Sequence, residues 1–498
     1  MLLLVGTSLL ALSPDVRNTA SRAAPVDEAP NIVTPLLPGS YELAQKKSRV
    51  HLADWNASEL YSGFFTIDEA TGSNTYFMYS TPLSGRADAP VILWLNGGPG
   101  ASSLLGFYDE LGPFGIDEKL QVAPRDVTWA RDAHLIAMDN PLGVGYSYTH
   151  SRDRMVTNQT TVGEDLYTAI RQFFDLFPAL QSNAFYVTGE SYAGKYVPAA
   201  AYAIHKHNAV SPASRRINLQ GVAIGDGAFD PPTQFTGFGP LLFNVGLADT
   251  RAARVYDEYD HNFTARLAAG DRVGAFRSFD EMINGDYYGS SRTFYTNTTG
   301  MGSNYFNFAL EPGAASLTKR TFPSWLAKPD VARALHVGSV PYAVFNQSVE
   351  DKLVADWVVG VVPQLQTLMD NCALVGRTRN LAPAPALTIV CNAHVTDDVL
   401  IYSGQYDVIL GPPGTERAID KLKWSGAAAY ATEPTTKFFS SKSDLAGYSR
   451  SVASTKANCT FSYVMLRGCG HMVPTDQPVR AYTMLQTFLV PMAPLTPP

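Results

Sequence analysis

A serine among small residues, then an aspartate, then a histidine occur at positions from which they could form a nucleophilic relay. Gly189-Glu190-Ser191-Tyr192-Ala193-Gly194 follows the apolar run Phe185-Tyr186-Val187-Thr188, so Ser191 falls where a strand should turn sharply into a helix. Small neighbours suit that crowded turn, and its strained geometry would hold Oγ above the sheet edge. A serine hydroxyl attacks only when a base takes its proton and an acid orients the base. Val399-Leu400-Ile401-Tyr402-Ser403 reads as a buried strand that opens into Gly404-Gln405-Tyr406-Asp407, and Tyr463-Val464-Met465-Leu466 feeds a loop carrying His471. Asp407 and His471 thus follow strands, where catalytic groups of open α/β sheets gather. Asp397, Asp398 and Asp420 compete for the acid's role with a weaker strand-end argument, while His205, His207 and His336 lie in helix-like stretches.

A tetrahedral intermediate needs two backbone N–H donors for its oxyanion. The elbow offers one at Tyr192. The second is expected at Gly98, in the turn Asn96-Gly97-Gly98-Pro99-Gly100 that follows the buried run Val91–Leu95, although such a turn could also be an ordinary tight loop. The order nucleophile, acid, base is that of the α/β-hydrolases. The expected fold class is therefore α/β: a mostly parallel, mixed sheet flanked by helices, with an inserted, mainly helical cap. Strands and helices alternate from about Tyr61 to Gly227. The composition then shifts to Gly, Asn, Tyr and Phe with helical patches such as Arg251 to Tyr259. The boundaries read from this are a signal peptide or short pro-segment (1–30), a first part of the core (31–229), the cap (230–381), a second part of the core (382–490) and a Pro-rich tail (491–498).

Leu93-Trp94-Leu95-Asn96-Gly97-Gly98-Pro99-Gly100, Gly189-Glu190-Ser191-Tyr192-Ala193-Gly194 and Gly470-His471-Met472-Val473-Pro474 resemble the three signatures of the serine carboxypeptidases. Tyr61-Ser62-Gly63-Phe64, Asn140 to Tyr148, Gly221 to Gly227 and Val331 to Val337 resemble the same family in order, so the similarity runs from about Val33 to about Phe488. The resemblance implies a serine-type carboxypeptidase that releases single C-terminal residues through an acyl-enzyme and needs no metal or organic cofactor. It also implies that Asn96 and Glu190 hold the free carboxylate of the substrate. Two carboxylates in contact do not both ionise readily, so one proton would be shared and affinity should improve as the pH falls towards about 5. The chain departs from the family pattern at Ala101, where a cysteine is common, so packing must hold that loop. Asp226 and Ala327 each replace an asparagine and are expected to stand clear of the chemistry. An acyltransferase or esterase on the same scaffold is the first alternative. A non-catalytic binding or protective partner protein is the second.

With 498 residues, 46% of them hydrophobic and 17% charged, the chain can bury a large core. A net charge of −7 with no basic run argues against nucleic acid or an anionic membrane as partner, and no internal stretch is long and apolar enough to span a bilayer. The expected partners are peptide or protein C-termini, bound by a monomer or homodimer. Leu2 to Leu12 reads as a signal-peptide core without a basic leader, with an incomplete N-terminus or a buried strand as the alternatives. Sequons at Asn56, Asn158, Asn262, Asn297, Asn346 and Asn458 point to the secretory pathway and an extracellular or vacuolar/lysosomal destination. Cys372, Cys391, Cys459 and Cys469 allow three pairings. Cys372–Cys391 and Cys459–Cys469 are favoured because each closes a short loop, and the second would brace the loop of His471. No close Cys or His pair has the spacing of a zinc site.

Overall fold

Apolar runs with no polar alternation become strands covered on both faces. The computed structural model describes residues 20–21, 29–285, 287, 292–302, 304–312, 320–371, 398–456 and 459–488. Among them, eleven strands form the main sheet: β1 (Arg49–Leu52), β2 (Trp55–Asp68), β3 (Ser73–Ser80), β4 (Val91–Leu95), β5 (His134–Met138), β6 (Phe185–Glu190), β7 (Leu219–Gly225), β8 (Asp398–Gly404), β9 (Thr436–Phe439), β10 (Leu445–Ala453) and β11 (Thr460–Leu466). Their spatial order is β9-β10-β11-β8-β7-β6-β4-β5-β3-β2-β1. The six strands from β11 to β5 run parallel. Antiparallel strands extend both edges.

The strand period of two divides the core. Val91, Leu93 and Leu95 of β4 enter one buried cluster, whereas Ile92 and Trp94 enter the other. On the first face lie α1 (Gln159–Leu176), whose N-terminus is capped by the Asn158 side chain, and α2 (Ala193–Val210). They contribute Leu166, Ile170 and Phe173, and Tyr196, Val197 and Ile204. Between β7 and β8 the chain adds α3 (Thr250–Ala268), α4 (Arg272–Phe279) and α5 (Val362–Asn371), and Tyr256, Phe263, Phe279 and Trp357 join the same cluster. The last helix, α6 (Pro478–Phe488), covers the opposite face through Tyr482, Met484 and Leu485.

Two competitors for the acid fall away from the carboxyl ends of the strands. Asp398 begins β8, at the end of the strand opposite Asp407, and Asp420 is exposed at the end of a helix; Asp397 lies outside the described residues. Asn56, Asn158, Asn262 and Asn297 are exposed. Asn346 is only half-buried and its amide is engaged, donating to Gly143 O at 2.8 Å and accepting from Ser348 N at 3.0 Å. Asn458, Leu2 to Leu12, Cys372, Cys391 and the expected cap boundary at 381 lie outside the described residues. No described helix is long and apolar enough to cross a membrane.

The expected Cys459–Cys469 disulfide is incorrect. Cys459 is disulfide-bonded, but Cys469 is a free, buried thiol. The intervening nine residues are not a loop: they contain the 7-residue strand β11. A strand of that length spans about 20 Å, and a disulfide needs Cα atoms about 6 Å apart.

Candidate active site

Ser191 sits between the end of β6 and the start of α2, with φ +64°, a left-handed backbone that non-glycine residues seldom adopt. Such a conformation costs of order 1–2 kcal/mol and persists only where the surroundings enforce it. Here Ser191 N donates to Gly225 O at 3.0 Å and Ala228 N donates to Ser191 O at 3.0 Å, so the tip of β7 clamps the turn from both sides. Gly194 is required because a Cβ there would lie 2.5 Å from Ala228 N.

Asp407 follows β8 and His471 follows β11, its parallel neighbour. His471 Nδ1 and Asp407 Oδ2 are hydrogen-bonded at 2.8 Å, with Asp407 fully buried and His471 3% exposed. The imidazole is thus oriented with Nε2 as its remaining functional atom. Nε2 is buried and makes no hydrogen bond, so it is not hydrogen-bonded to the Ser191 hydroxyl in this arrangement. Relays of this kind often tighten only around substrate. In place of a disulfide, hydrogen bonds hold the His471 loop. The Asp476 carboxylate accepts from Gly470 N at 2.7 Å and Asn307 Nδ2 at 2.8 Å, His471 N donates to Phe306 O at 2.7 Å, and Tyr406 N donates to Cys469 O at 2.8 Å. Asn307 and Phe306 belong to the segment inserted between β7 and β8, so that segment buttresses the base.

The glycine-rich turn after β4 lies against the elbow. A Cβ on Gly97 would overlap Tyr192 N and come within 2.9 Å of Ser191 Cβ. Gly98 has φ +106°, which favours glycine. Neither the Gly98 nor the Tyr192 amide finds a backbone acceptor among the described residues, leaving both as donors beside the serine. The loop that lacks a cysteine at Ala101 is held by bonds to a distant segment: Ser102 N to Val344 O at 2.9 Å and Asn346 N to Gly100 O at 3.0 Å. Ser102 Oγ and Ser103 N both donate to buried Asp139, whose carboxyl burial raises to about 6. Gly97→Ala is expected to destabilise the fold and to lose about 10²–10³ in kcat, because its methyl would overlap the backbone at Tyr192 N and push the turn away from the elbow. Thermal melting together with steady-state kinetics would test this, and a variant with parental kcat would remove Gly97 from the site.

Asn96 and Glu190 come together, joined by a residue the sequence reading missed. Asn96 Oδ1 accepts from Trp94 Nε1 at 2.8 Å and Gly106 N at 2.9 Å, which fixes the amide with Nδ2 outward. That Nδ2 donates to Glu190 Oε1 at 3.0 Å and to Glu110 Oε1 at 3.1 Å. Glu190 and Glu110 are 4% and 1% exposed and hydrogen-bond one another. Burial first, and then Glu110, push the Glu190 carboxyl well above the usual range; burial also raises Glu110, against the opposing charge of Arg320. One proton shared between two buried carboxyls satisfies both trends. A signal for Glu110 did exist in the sequence: it and Asp109 are the two acids inside the otherwise apolar stretch Leu104 to Leu111.

Asp226 does not stand clear of the chemistry. It follows β7, is completely buried, and its carboxyl contacts that of Asp407. Position in sequence concealed this, because the contact exists only between adjacent parallel strands. Asp226, Asp407 and His471 offer ligand atoms within 4.8 Å of one another, but Nδ1 and Oδ2 are already committed to each other, which suits a hydrogen-bonded relay better than a metal-ligand set. Ala327 closes the short helix Phe322–Leu326.

A family model described as serine carboxypeptidase matches residues 52–375 and 382–490. The chain is 36% identical over 460 residues to a venom serine carboxypeptidase of Apis mellifera, covering 92% of this chain and 90% of that one. It is 36% identical over 435 residues to a probable serine carboxypeptidase, CPVL, of Homo sapiens, covering 86% and 83% respectively. Among solved structures, the fold is similar to that of Kex1, a prohormone-processing carboxypeptidase of Saccharomyces cerevisiae, with a TM-score of 0.71 at 20% identity over 89% of this chain and 95% of that one.

Proposed function

Since the chain belongs to the serine carboxypeptidase family and is a hydrolase acting on peptides, we propose that it removes one C-terminal residue at a time through an acyl-enzyme on Ser191. The observation that carries this reading is the buried Asn96–Glu110–Glu190 network, whose Glu190 is the residue next to Ser191. A substrate carboxylate gripped there puts the last peptide bond, and no other, over the nucleophile. Ser191 Oγ attacks that carbonyl while His471 Nε2 takes the hydroxyl proton, and Asp407 stabilises the imidazolium through Nδ1. The Gly98 and Tyr192 N–H groups hold the oxyanion. His471 then gives its proton to the departing amine, the amino acid leaves, and water activated by the same imidazole releases the shortened peptide. A protein whose hydrolase site is incidental would have no need of a buried carboxylate grip beside the elbow.

The same network sets a pH dependence. A substrate carboxylate can accept the proton that Glu190 and Glu110 share, and can take the place of one of these carboxyls as an acceptor from Asn96 Nδ2. As the pH rises through the raised range of that pair, the proton leaves and the substrate faces like charge, so KM should climb by up to about tenfold per pH unit above the transition. Glu190→Gln cannot ionise and should flatten this rise; if it kept the parent's KM profile, the shared-proton account would fail. The direct test of the function is release of free amino acid from N-blocked dipeptides between about pH 4 and 8, beside the same peptides amidated at the C-terminus. Release only from free-carboxylate peptides supports the carboxypeptidase reaction. Labelling of Ser191 by a serine-reactive phosphonate without peptide hydrolysis would point to an ester or acyl-transfer substrate.

The helical segment between β7 and β8 is proposed to act as a cap over this site, since it carries Phe306 and Asn307 against the His471 loop. Passage through the secretory pathway, to an extracellular or vacuolar/lysosomal destination, is supported by the disulfide at Cys459 and by the exposed sequons at Asn56, Asn158, Asn262 and Asn297.

A further inference from the structure

Asp226 is a buried acid with an unusual set of bonds. Its backbone has φ +41°, its N–H donates to Tyr402 O at 2.8 Å, and its Oδ1 accepts from Gly404 N at 2.8 Å. These bonds splice the end of β7 to the end of β8 just ahead of Asp407. The other oxygen, Oδ2, is buried and has no donor partner. Asp407 is better provided: Oδ2 accepts from His471 Nδ1 at 2.8 Å and Oδ1 from Leu410 N at 3.3 Å. Two carboxyl groups in hydrogen-bond contact inside a protein hold one proton between them. The group with fewer N–H donors keeps it.

We propose that Asp226 is a positioning residue for the reaction: it stays protonated on Oδ2, donates that hydrogen to Asp407, and so fixes the Asp407 carboxylate in the orientation that His471 requires. The proposal rests on the Ser191, His471 and Asp407 roles given above. The groups facing Asp226 are Asp407 and, further off, Glu190 on the β6 side, Tyr402 from β8, Tyr463 from β11, and Cys469 and His471 beyond β11. None of these is a lysine or arginine. Burial, followed by the charge of Asp407, accordingly drives the Asp226 carboxyl well above the usual range. When Asp226 does ionise at higher pH, two like charges meet with no donor between them, Asp407 loses its brace, and the chemical step slows. The alkaline limit of kcat therefore belongs to this pair, whereas the Glu190–Glu110 pair acts on KM.

The experiment compares kcat and KM across pH for the parent, Asp226→Asn and Asp226→Ala, with thermal melting of each and phosphonate labelling of Ser191 as a control. The amide in Asp226→Asn can accept from Gly404 and donate to Asp407 at every pH, so the ratio of kcat above neutrality to kcat in acid should exceed the parent's by about tenfold. Asp226→Ala should have a kcat about ten- to a hundredfold below that of Asp226→Asn, with KM within about twofold. An Asp226→Asn profile that retains the parent's alkaline decline would overturn the proposal. So would an Asp226→Ala enzyme as active as Asp226→Asn. Should Asp226→Ala fail to fold, the shape of the Asp226→Asn profile decides alone. Failure of the parent itself to take up the phosphonate would instead remove the triad reading on which the proposal stands.

Discussion

Ser191→Ala is expected to lower kcat by about 10⁴–10⁶-fold, and adding His471→Ala is expected to cost almost nothing more. The two residues serve one event, transfer of a proton off Oγ as it attacks, so removing either removes the event. Asp407→Asn should fall short of that loss, at about 10⁴-fold, because an amide at this position leaves the imidazole in place but stabilises the wrong tautomer. The Gly98 and Tyr192 amides and the Asn96–Glu110–Glu190 grip remain in all three variants, and they should sustain a residual rate about 10³-fold above that of water. Single-turnover assays on N-blocked dipeptides would measure each loss, and KM should move little. Additive losses in the double variant would mean that Ser191 and His471 act in separate steps, and a Ser191→Ala enzyme with more than about a tenth of parental activity would sink the assignment.

The second large effect is on stability. Behind the elbow, Lys195 is 0% exposed and its ammonium pairs with Asp356 Oδ2 at 2.5 Å. The same oxygen accepts from Tyr192 Oη at 2.6 Å and Gln159 Nε2 at 2.6 Å. Lys195 stands in the first turn of α2 and Asp356 in the segment inserted between β7 and β8, so one buried carboxylate joins the elbow helix to the rest of the fold. Asp356→Ala should cost about 3–5 kcal/mol, since it strands a charge in the interior. Lys195→Met combined with Asp356→Leu should recover most of that, because the pair removed together leaves no uncompensated ion. Burial already lowers Lys195 to about 8 despite the opposing charge of Asp356. Without Asp356 the native state binds fewer protons than the unfolded chain over a wider range, so the deficit should shrink as the pH rises. Denaturant melts at several pH values would check both sign and size. A single variant within about 1 kcal/mol of the parent would show that the ammonium reaches water by another route.

Ser191, Asp407 and His471 were legible because each depends on its immediate neighbours. A buried parallel strand is an unbroken apolar run, and in a parallel sheet the loops that follow such runs all open at one edge. Reading Phe185 to Thr188, Val399 to Ser403 and Tyr463 to Leu466 as strands therefore brought the three side chains to the same edge with no knowledge of the strand order. Gly98 and Asn96 were legible on the same ground, at the end of Val91–Leu95. The elbow needed only Gly189, Ala193 and Gly194 beside it.

Glu110, Asp226 and the cysteines depended on what meets across the sheet, and no local pattern carries that. Glu110 is distinguished by the bond from Asn96 Nδ2 and the contact with Glu190, residues from two other segments. Asp226 reads in the sequence only as a replacement for an asparagine at a strand end; its neighbour in space is Asp407, brought beside it by the pairing of β7 with β8. Cys459 and Cys469, close in sequence, are held apart by the length of β11. By itself, then, the sequence determined the strands, the elbow and the chemistry that could follow each strand, since those rest on local sterics and hydrophobic pattern. Only the tertiary structure decided which carboxyls share protons, which cysteine remains a thiol and which distant segments brace the site, because those depend on distances through space that strand order and register alone establish.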